Sequence, residues 1–272
     1  MGTEPNAVVA AFERAKAGSR ALLIGYWPAG FPDEQSSIEM VETMLANGVD
    51  AVEIGLPYTD PVMDGPVIAE AAEVALANGA THQTAFDVVA AVSGTDAPIL
   101  AMTYWNLIEQ FGPGAFAAEL ARAGGAGVIT PDLPAEEAEA WVAASNTADV
   151  ARVFLAAPSS TQQRLDVVAD ASSGFVYAAS LMGVTGTRDS VSGDARELVA
   201  RLRAVTDLPI AVGLGVSTRE QAAQVAAYAD GVIVGSAFVR QVLDHPDLQS
   251  ARRAVADLAA DLARGVAEGY PA

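Results

Sequence analysis

Residues 50–66 read DAVEIGLPYTDPVMDGP, and this stretch decides the fold class. The short apolar run Ala51–Ile54 predicts a β-strand, and the loop after it contains three prolines before a helical pattern begins. Side chains alternate between the two faces of a strand, so Glu53 lies opposite its apolar neighbours Val52 and Ile54. The stretch therefore predicts a buried strand with one inward carboxylate, followed by a stiff loop.

The same strand-then-helix unit recurs along the whole chain. The expected strands are Ala21–Tyr26, Ala51–Ile54, Ile99–Tyr104, Gly127–Thr130, Arg152–Ala156, Gly174–Ala178, Ile210–Val212 and Gly231–Val234. The expected helices include Gln35–Ala46, Val67–Ala77, Ala115–Ala123, Glu136–Ala144, Thr161–Ala171, Arg196–Ala204 and Arg219–Ala227. Continuous apolar strands separated by helices favour βαβ units and a fully buried parallel sheet.

Eight such units without a long spacer favour a closed barrel. We predict an α/β fold: a single-domain (β/α)8 TIM barrel over residues 1–272, with an extra N-terminal helix. The main alternative is an open Rossmann-type sheet, but no G-x-G-x-x-G follows the first strand.

Composition excludes several classes of partner and site. The net charge of −19 argues against nucleic acids and anionic membranes, which need a basic surface. Apolar runs stop well short of the ~20 residues that span a bilayer. Met1–Asn6 lacks the basic region of a signal peptide, so we expect a cytoplasmic protein. The chain has no cysteine, which excludes thiolate catalysis, and its two histidines are far apart, so no metal site is expected.

Two carboxylates are the leading candidates for catalysis. Glu53 is expected inside the barrel near its top, where burial raises the pKa of a carboxyl group and suits it to proton exchange. The alternative is a core glutamate paired with an arginine. Asp64 is presented by the proline-braced loop. Asp60 and Asp64 are alternatively helix caps or turn formers, an alternative that we favour for Asp60 only.

Residues 53–66 match a long and specific family signature, E-[LIV]-G-x-P-[FY]-[ST]-D-P-x-x-D-G-P. On this motif the chain resembles the tryptophan synthase alpha subunit family. Further matching segments extend the resemblance over almost the whole chain: residues 102–106 (MTYWN), 130–134 (TPDLP), 175–177 (FVY), 183–186 (GVTG), 212–215 (VGLG) and 234–237 (VGSA).

The resemblance implies a reaction and a partner. The reaction is the retro-aldol cleavage of indole-3-glycerol phosphate to indole and glyceraldehyde 3-phosphate in tryptophan biosynthesis. Indole then passes to a beta subunit within an α2β2 complex. Pyridoxal phosphate is expected only in that beta subunit, and no cofactor is expected in this chain. The segments Pro57–Pro61 and Tyr104–Leu107 are expected to face the beta subunit.

The resemblance also assigns roles to individual residues. By position in the motif, Glu53 matches the general acid–base residue and Asp64 the carboxylate that holds and deprotonates the indole N–H. Tyr177 matches a tyrosine near the reacting centre, where a positioning role is favoured. Tyr26 falls where the family keeps an aromatic residue against the indole ring.

The phosphate is expected at the last barrel loops. TIM barrels often bind phosphate after strands seven and eight, at a helix N-terminus. These loops contain Gly215, Gly235 and Ser236, and Gly186 is expected to join them from the loop after strand six. As isolated motifs, the glycines are equally compatible with structural turns. The polar segment Thr187–Asp194 is expected to be a closing lid.

Two segments depart from the family pattern, and both are expected to affect loop closure. Many members have T-x-G-D-P after the first strand, where this chain has Pro28–Pro32, and Leu181 stands where some members carry arginine.

The types of catalytic residue in the chain fit a mechanism in which the substrate acts as its own electron sink, that is, accepts the electrons of the carbon–carbon bond that breaks. The single lysine, Lys16, precedes the first strand, so a Schiff base at the barrel rim is not expected. Protonation of the indole ring creates the sink, and this route needs two carboxylates. The rival functions are another phosphate-binding barrel, such as an isomerase of a phosphoribosyl intermediate, and a non-catalytic sensing or activating subunit.

Overall fold

A closed barrel of eight parallel strands forms the centre of the protein. A computed structural model describes residues 6–179, 188–213 and 215–271, without the side chains of residues 188–193. The strands are β1 (Leu22–Pro28), β2 (Ala51–Gly55), β3 (Ile99–Met102), β4 (Gly127–Thr130), β5 (Ala151–Ala156), β6 (Val176–Ala179), β7 (Ile210–Gly213) and β8 (Gly231–Val234). They pair in chain order, and β8 pairs with β1 to close the ring. The predicted barrel is confirmed, and every predicted strand boundary lies within two residues of the observed one.

Helices surround the barrel. Within the described residues they are α1 (Ala7–Ala17), α2 (Glu34–Ala46), α3 (Pro66–Ala77), α4 (His82–Val92), α5 (Trp105–Phe111), α6 (Pro113–Arg122), α7 (Glu139–Ala148), α8 (Gln162–Ala171), α9 (Arg188–Arg203), α10 (Arg219–Ala226), α11 (Ser236–Asp244) and α12 (Leu248–Glu268). The extra N-terminal helix is present as α1. None of these helices combines the length and apolar character needed to cross a membrane.

One helix begins earlier than the sequence predicts. We expected it to start at Arg196 and the preceding residues to form a lid, but α9 begins at Arg188. Ser190, Ser192 and Gly193 are weak helix formers, which is why the sequence suggested a loop, but such propensities are small and are readily overridden. The segment 188–194 is therefore helical, and Thr187 lies outside the described residues.

The alternation of side chains along the strands, as predicted from the sequence, divides the apolar side chains between two cores. Val52 and Ile54 belong to the outer core between strands and helices, whereas Ala51 belongs to the inner core of the barrel. The inner core is a stack of apolar side chains from most strands, among them Leu22, Ile24, Leu100, Ile129, Val153, Phe175, Ala211 and Ile233. These side chains fill the barrel from the amino ends of its strands, and the candidate site lies at the carboxyl ends.

Helix α1 closes the bottom of the inner core. Val8 and Phe12 of this helix are buried among the inner-core side chains, and the Phe12 and Phe175 ring centroids are 5.5 Å apart. Lys16 lies on the same helix, at the end of the barrel opposite the strand carboxyl termini. The only lysine is therefore remote from the rim, as the sequence predicted.

Replacing Phe12 with alanine tests whether α1 is part of the core. Truncating a fully packed phenylalanine costs about 3–5 kcal/mol, and we expect a loss of this size in the free energy of unfolding measured with urea. Val62→Ala is the control, because Val62 is 75% exposed and surface changes usually stay within about 0.5 kcal/mol. A cost below about 1 kcal/mol for Phe12→Ala would show that α1 is peripheral.

Candidate active site

Glu53 lies inside the barrel at the carboxyl end of β2. It is 1% exposed, and it pairs in register with Tyr26 of β1 and Leu100 of β3. Its Oε1 atom has no hydrogen-bond partner, and no arginine or lysine of the described chain forms an ion pair with it. Within the described residues, the alternative of a core glutamate paired with arginine therefore finds no support.

Burial without a partner changes the chemistry of Glu53. Loss of hydration disfavours the charged form and raises the pKa of this carboxyl group to about 8. At neutral pH Glu53 is therefore mostly protonated, and it has a pKa near the pH at which it would work. A group of this kind can both donate a proton and take one back.

Asp64 lies on the loop between β2 and α3, half-buried at the barrel mouth. Burial raises the pKa of Asp64, and a hydrogen bond with the Tyr104 side chain opposes this effect. Gly65, not Asp64, is the N-cap of α3, and that helix has no side-chain cap. The cap alternative for Asp64 is thus wrong. Asp60 is exposed and accepts a hydrogen bond from the neighbouring Thr59 hydroxyl, which fits a turn former.

Two tyrosines flank the carboxylates, and two glycines make room for them. A Cβ atom at Gly55 would overlap the Tyr26 hydroxyl, and one at Gly213 would overlap the Tyr177 hydroxyl. Each glycine ends its strand, and each tyrosine lies on the neighbouring strand at the barrel mouth. The absence of a side chain at these strand ends therefore fixes where both phenol groups lie.

The tyrosines remain protonated in this environment. Burial raises the pKa of Tyr26 and of Tyr177 far above the ordinary value for a phenol. Negative charge on Asp64 and Glu53 raises the Tyr26 pKa further, and charge on Glu53 does the same for Tyr177. The charge couplings place all four groups at one mouth, and the tyrosines stay protonated there, so their hydroxyl groups can donate hydrogen bonds but do not serve as bases.

A helix N-terminus borders the same mouth next to β1. Helix α11 begins at Ser236 directly after β8, with Gly235 as its N-cap. A Cβ atom at Gly235 would lie 3.4 Å from the Tyr26 Cβ, so this N-terminus borders the tyrosine. Gly215 follows the neighbouring strand β7 and has a φ of +69°, a conformation that favours glycine. The remaining expected phosphate residue, Gly186, lies outside the described residues, as does Leu181.

The segment Pro28–Pro32, which departs from the family pattern, is packed against the site. The Ala29 N–H donates to the Gly55 carbonyl at 2.8 Å, and the buried Phe31 accepts from the Trp27 indole N–H through its carbonyl at 3.0 Å. The altered sequence therefore still ties the end of β1 to the end of β2.

A cavity of about 630 Å³ opens beside the mouth. Its lining includes Met63, next to Asp64 in the chain, together with Leu155 and Ala179 at the ends of β5 and β6. Within the described parts of the chain, no three histidine, aspartate or glutamate side chains come together as a metal site.

Sequence reasoning missed one residue of this site. Tyr104 was placed in a segment facing a partner, but its buried hydroxyl lies beside Asp64 and accepts the Met63 N–H at 3.0 Å. The available signal was an aromatic residue just beyond the end of β3, the strand that neighbours β2.

Comparisons with known proteins agree with this geometry. The sequence profile described as "Tryptophan synthase alpha chain" matches residues 12–268. The chain belongs to this family. It is 59% identical to the tryptophan synthase alpha chain of Thermobifida fusca over 93% of this chain and 94% of the relative, and 55% identical to that of Acidothermus cellulolyticus over 96% and 97%.

The solved structures extend the match to three dimensions. A structure of Mycobacterium tuberculosis tryptophan synthase superimposes with a TM-score of 0.89 at 48% identity, covering 97% of this chain and 99% of that one. Tryptophan synthase alpha chains are lyases of tryptophan biosynthesis that cleave indole-3-glycerol phosphate. The predicted family, fold and reaction are confirmed.

Glu53→Gln tests the buried carboxyl through the pH dependence of stability. Between pH 4.5 and about 8 the unfolded chain ionises this group while the folded protein keeps it protonated, so stability falls as pH rises. The slope is about 1.4 kcal/mol per pH unit at most. We expect Glu53→Gln to lack this component, and therefore to gain stability relative to the original protein from pH 5 to pH 8.5 in urea unfolding.

The control is Glu70→Gln, at an exposed position of α3. This variant is expected to keep the pH dependence of the original chain. A constant stability difference between Glu53→Gln and the original protein from pH 5 to pH 8.5 would contradict the raised pKa.

Proposed function

We propose that Glu53 and Asp64 divide the cleavage of indole-3-glycerol phosphate between them. The observation that carries this proposal is the buried carboxyl group of Glu53, whose Oε1 atom has no hydrogen-bond partner within the described residues and which shares a barrel mouth with a second carboxylate on a loop. The helix N-terminus of α11 borders the same mouth. A substrate with an indole ring at one end and a phosphate at the other matches this arrangement.

Glu53 is the general acid and then the general base. Its proton goes to the ring carbon that carries the glycerol chain, which makes an indoleninium cation. The bond between this carbon and the glycerol chain then breaks, and its electron pair returns to the ring. The Glu53 carboxylate takes the proton of the adjacent glycerol hydroxyl as the aldehyde forms. Because Glu53 donates one proton and recovers one, it is ready for the next cycle.

Asp64 stabilises the cationic intermediate. In its ionised form it accepts a hydrogen bond from the indole N–H, which becomes more acidic as the ring gains positive charge. Tyr177 positions the substrate beside Glu53, and Tyr26 packs against the indole ring. Both phenols stay protonated, so neither competes with the carboxylates for the transferred proton.

The phosphate is held by Gly186, Gly215, Gly235 and Ser236. Support comes from Gly215 and the start of α11, which follow neighbouring strands at the same end of the barrel. The first N–H groups of a helix have no acceptor within the helix, and the helix dipole favours an anion there. These local donors act against the net charge of −19 of the chain.

We propose that the chain acts with a tryptophan synthase beta subunit in an α2β2 complex, and that pyridoxal phosphate is bound there and not here. Val62 and Met63 are 75% and 46% exposed, next to the segment Pro57–Pro61 that is expected to face that subunit. Residues 1–272 are proposed to form one domain, because α1 and α12 both pack on the barrel. The cytoplasmic location stays a prediction.

An assay of indole release from indole-3-glycerol phosphate, with and without a beta subunit, tests the activity. In this assay Glu53→Gln is expected to lower kcat at least about 100-fold, since general acid–base groups typically contribute 10²–10⁴. Substrate binding, measured by calorimetry, is expected to change little. Glu70→Gln is the control and is expected to retain full activity. Near-normal turnover by Glu53→Gln would contradict the assignment of Glu53 as the general acid–base residue.

Ser236→Ala tests the phosphate site. Removing a hydroxyl that donates to a charged group costs about 1.5–3 kcal/mol, so we expect KM to rise about 10-fold or more. The phosphate does not react, so kcat is expected to change little. Ser250→Ala, at the exposed start of α12, is the control. An unchanged KM for Ser236→Ala would remove this hydroxyl from the proposed site.

A further inference from the structure

We propose that Tyr104 is the positioning residue for Asp64: its hydroxyl fixes the end of the β2–α3 loop and holds the carboxylate in place to receive the substrate N–H. This inference rests on the proposed role of Asp64. It identifies Tyr104 as the group that determines the position of the Asp64 carboxylate.

The backbone and ring of Tyr104 are held in a defined position by their own contacts. The residue is 5% exposed and lies between β3 and α5, where it is the N-cap residue. The following N–H group, that of Trp105, donates to Asp132 at 2.8 Å, and the Tyr104 ring packs on Tyr58 with centroids 5.3 Å apart. The hydroxyl is therefore held by a rigid turn and a ring contact.

The hydroxyl has one hydrogen-bond partner, the Met63 N–H, and it lies close to the carboxylate of Asp64. It accepts the Met63 N–H at 3.0 Å, which occupies a lone pair of the oxygen. The proton of the Tyr104 hydroxyl is then available for donation to the carboxylate of Asp64, the residue that follows Met63 in the chain. The two interactions reinforce each other, because a hydroxyl that accepts a hydrogen bond becomes a better donor.

The end of β3 holds the loop at two points. At the start of the loop the Leu56 N–H donates to the Met102 carbonyl at 3.0 Å, and near its end the Met63 N–H donates to Tyr104. Between these points the loop is largely exposed. Tyr104 thus determines where the loop re-enters the barrel mouth, and Asp64 is the first residue after this anchor.

In the described part of the chain, the titratable groups around Asp64 are acids and phenols. Tyr26 of β1 and Tyr104 interact with its charge, Glu53 of β2 shares the barrel mouth with it, and Asp60 lies on the same loop. No described arginine or lysine forms an ion pair with Asp64. Burial favours the neutral form of Asp64, and the hydrogen bond with Tyr104 favours the charged form that the reaction needs.

Tyr104→Phe removes the hydroxyl and keeps the ring, and the experiment follows kcat/KM for indole-3-glycerol phosphate from pH 5 to pH 9. We expect kcat/KM near neutral pH to fall about 10-fold, as for loss of one hydrogen bond to a charged group. The acid limb of the profile is expected to move to higher pH, because Asp64 then ionises less readily. The basic limb, set by Glu53, is expected to stay in place.

Tyr228→Phe is the matched control. The Tyr228 hydroxyl is buried without a hydrogen-bond partner in the described chain, and its ring packs under Arg196 away from the mouth. This variant is expected to keep both the rate and the pH profile. Circular dichroism and urea unfolding establish that each variant is folded.

A double-mutant cycle with Asp64→Asn separates positioning from general loss of structure. If Tyr104 acts through Asp64, Asp64→Asn removes the acid limb, and adding Tyr104→Phe lowers kcat/KM by less than 2-fold more. A normal rate in Tyr104→Phe, an unmoved acid limb, or fully additive losses in the cycle would each overturn the proposal. Absence of indole release by the original chain would instead refute the proposed function.

Discussion

The site depends on one physical constraint, a carboxyl group held inside the barrel with no partner to neutralise it. The inner core below Glu53 is apolar, and no cation of the described chain reaches it. Burial of such a group disfavours its charge and leaves a proton that can be donated at neutral pH. The surrounding features are arranged around this group, with a second carboxylate on a loop, two protonated tyrosines beside it and a helix N-terminus that borders one of them, Tyr26. A partner for Glu53 would stabilise the fold but would remove the proton needed for the reaction.

The three parts of the site come from elements of different stiffness. Glu53 belongs to a strand that is paired on both sides, so its position is set by the backbone ladder. Asp64 belongs to a loop, and it needs the prolines and the Tyr104 contact to acquire a defined position. The start of α11 supplies backbone N–H groups, which need no side-chain ordering. Glu53, the proposed proton-transfer residue, is thus the most rigidly held, and Asp64, proposed to meet the charge on the indole ring, lies where small adjustments are possible.

The sequence was sufficient for the features that depend on local pattern. Strand alternation placed Val52 and Ile54 outside and Glu53 inside, and the eight apolar runs gave the barrel. The features it missed depend on contacts between segments distant in the chain. Nothing in the motif shows that Gly55 is a glycine because the Tyr26 hydroxyl lies over it, or that Tyr104 bonds to Met63, forty-one residues away. The early start of α9 was missed for another reason, because its first turns contain weak helix formers whose preferences are smaller than the effects of tertiary context.

The proposed phosphate site at α11 belongs to a strongly acidic chain, and this combination has a kinetic consequence. A dianionic substrate approaching a protein of charge −19 is repelled at long range and attracted only over the last few ångströms. Dissolved salt screens the long-range repulsion over a Debye length of about 8 Å at physiological ionic strength, and it affects the close contacts much less. Salt therefore speeds capture of the substrate by this enzyme, whereas it slows capture by enzymes that steer their ligands with opposite charge. The ionic composition of the surrounding solution thus sets how well the enzyme competes for scarce substrate.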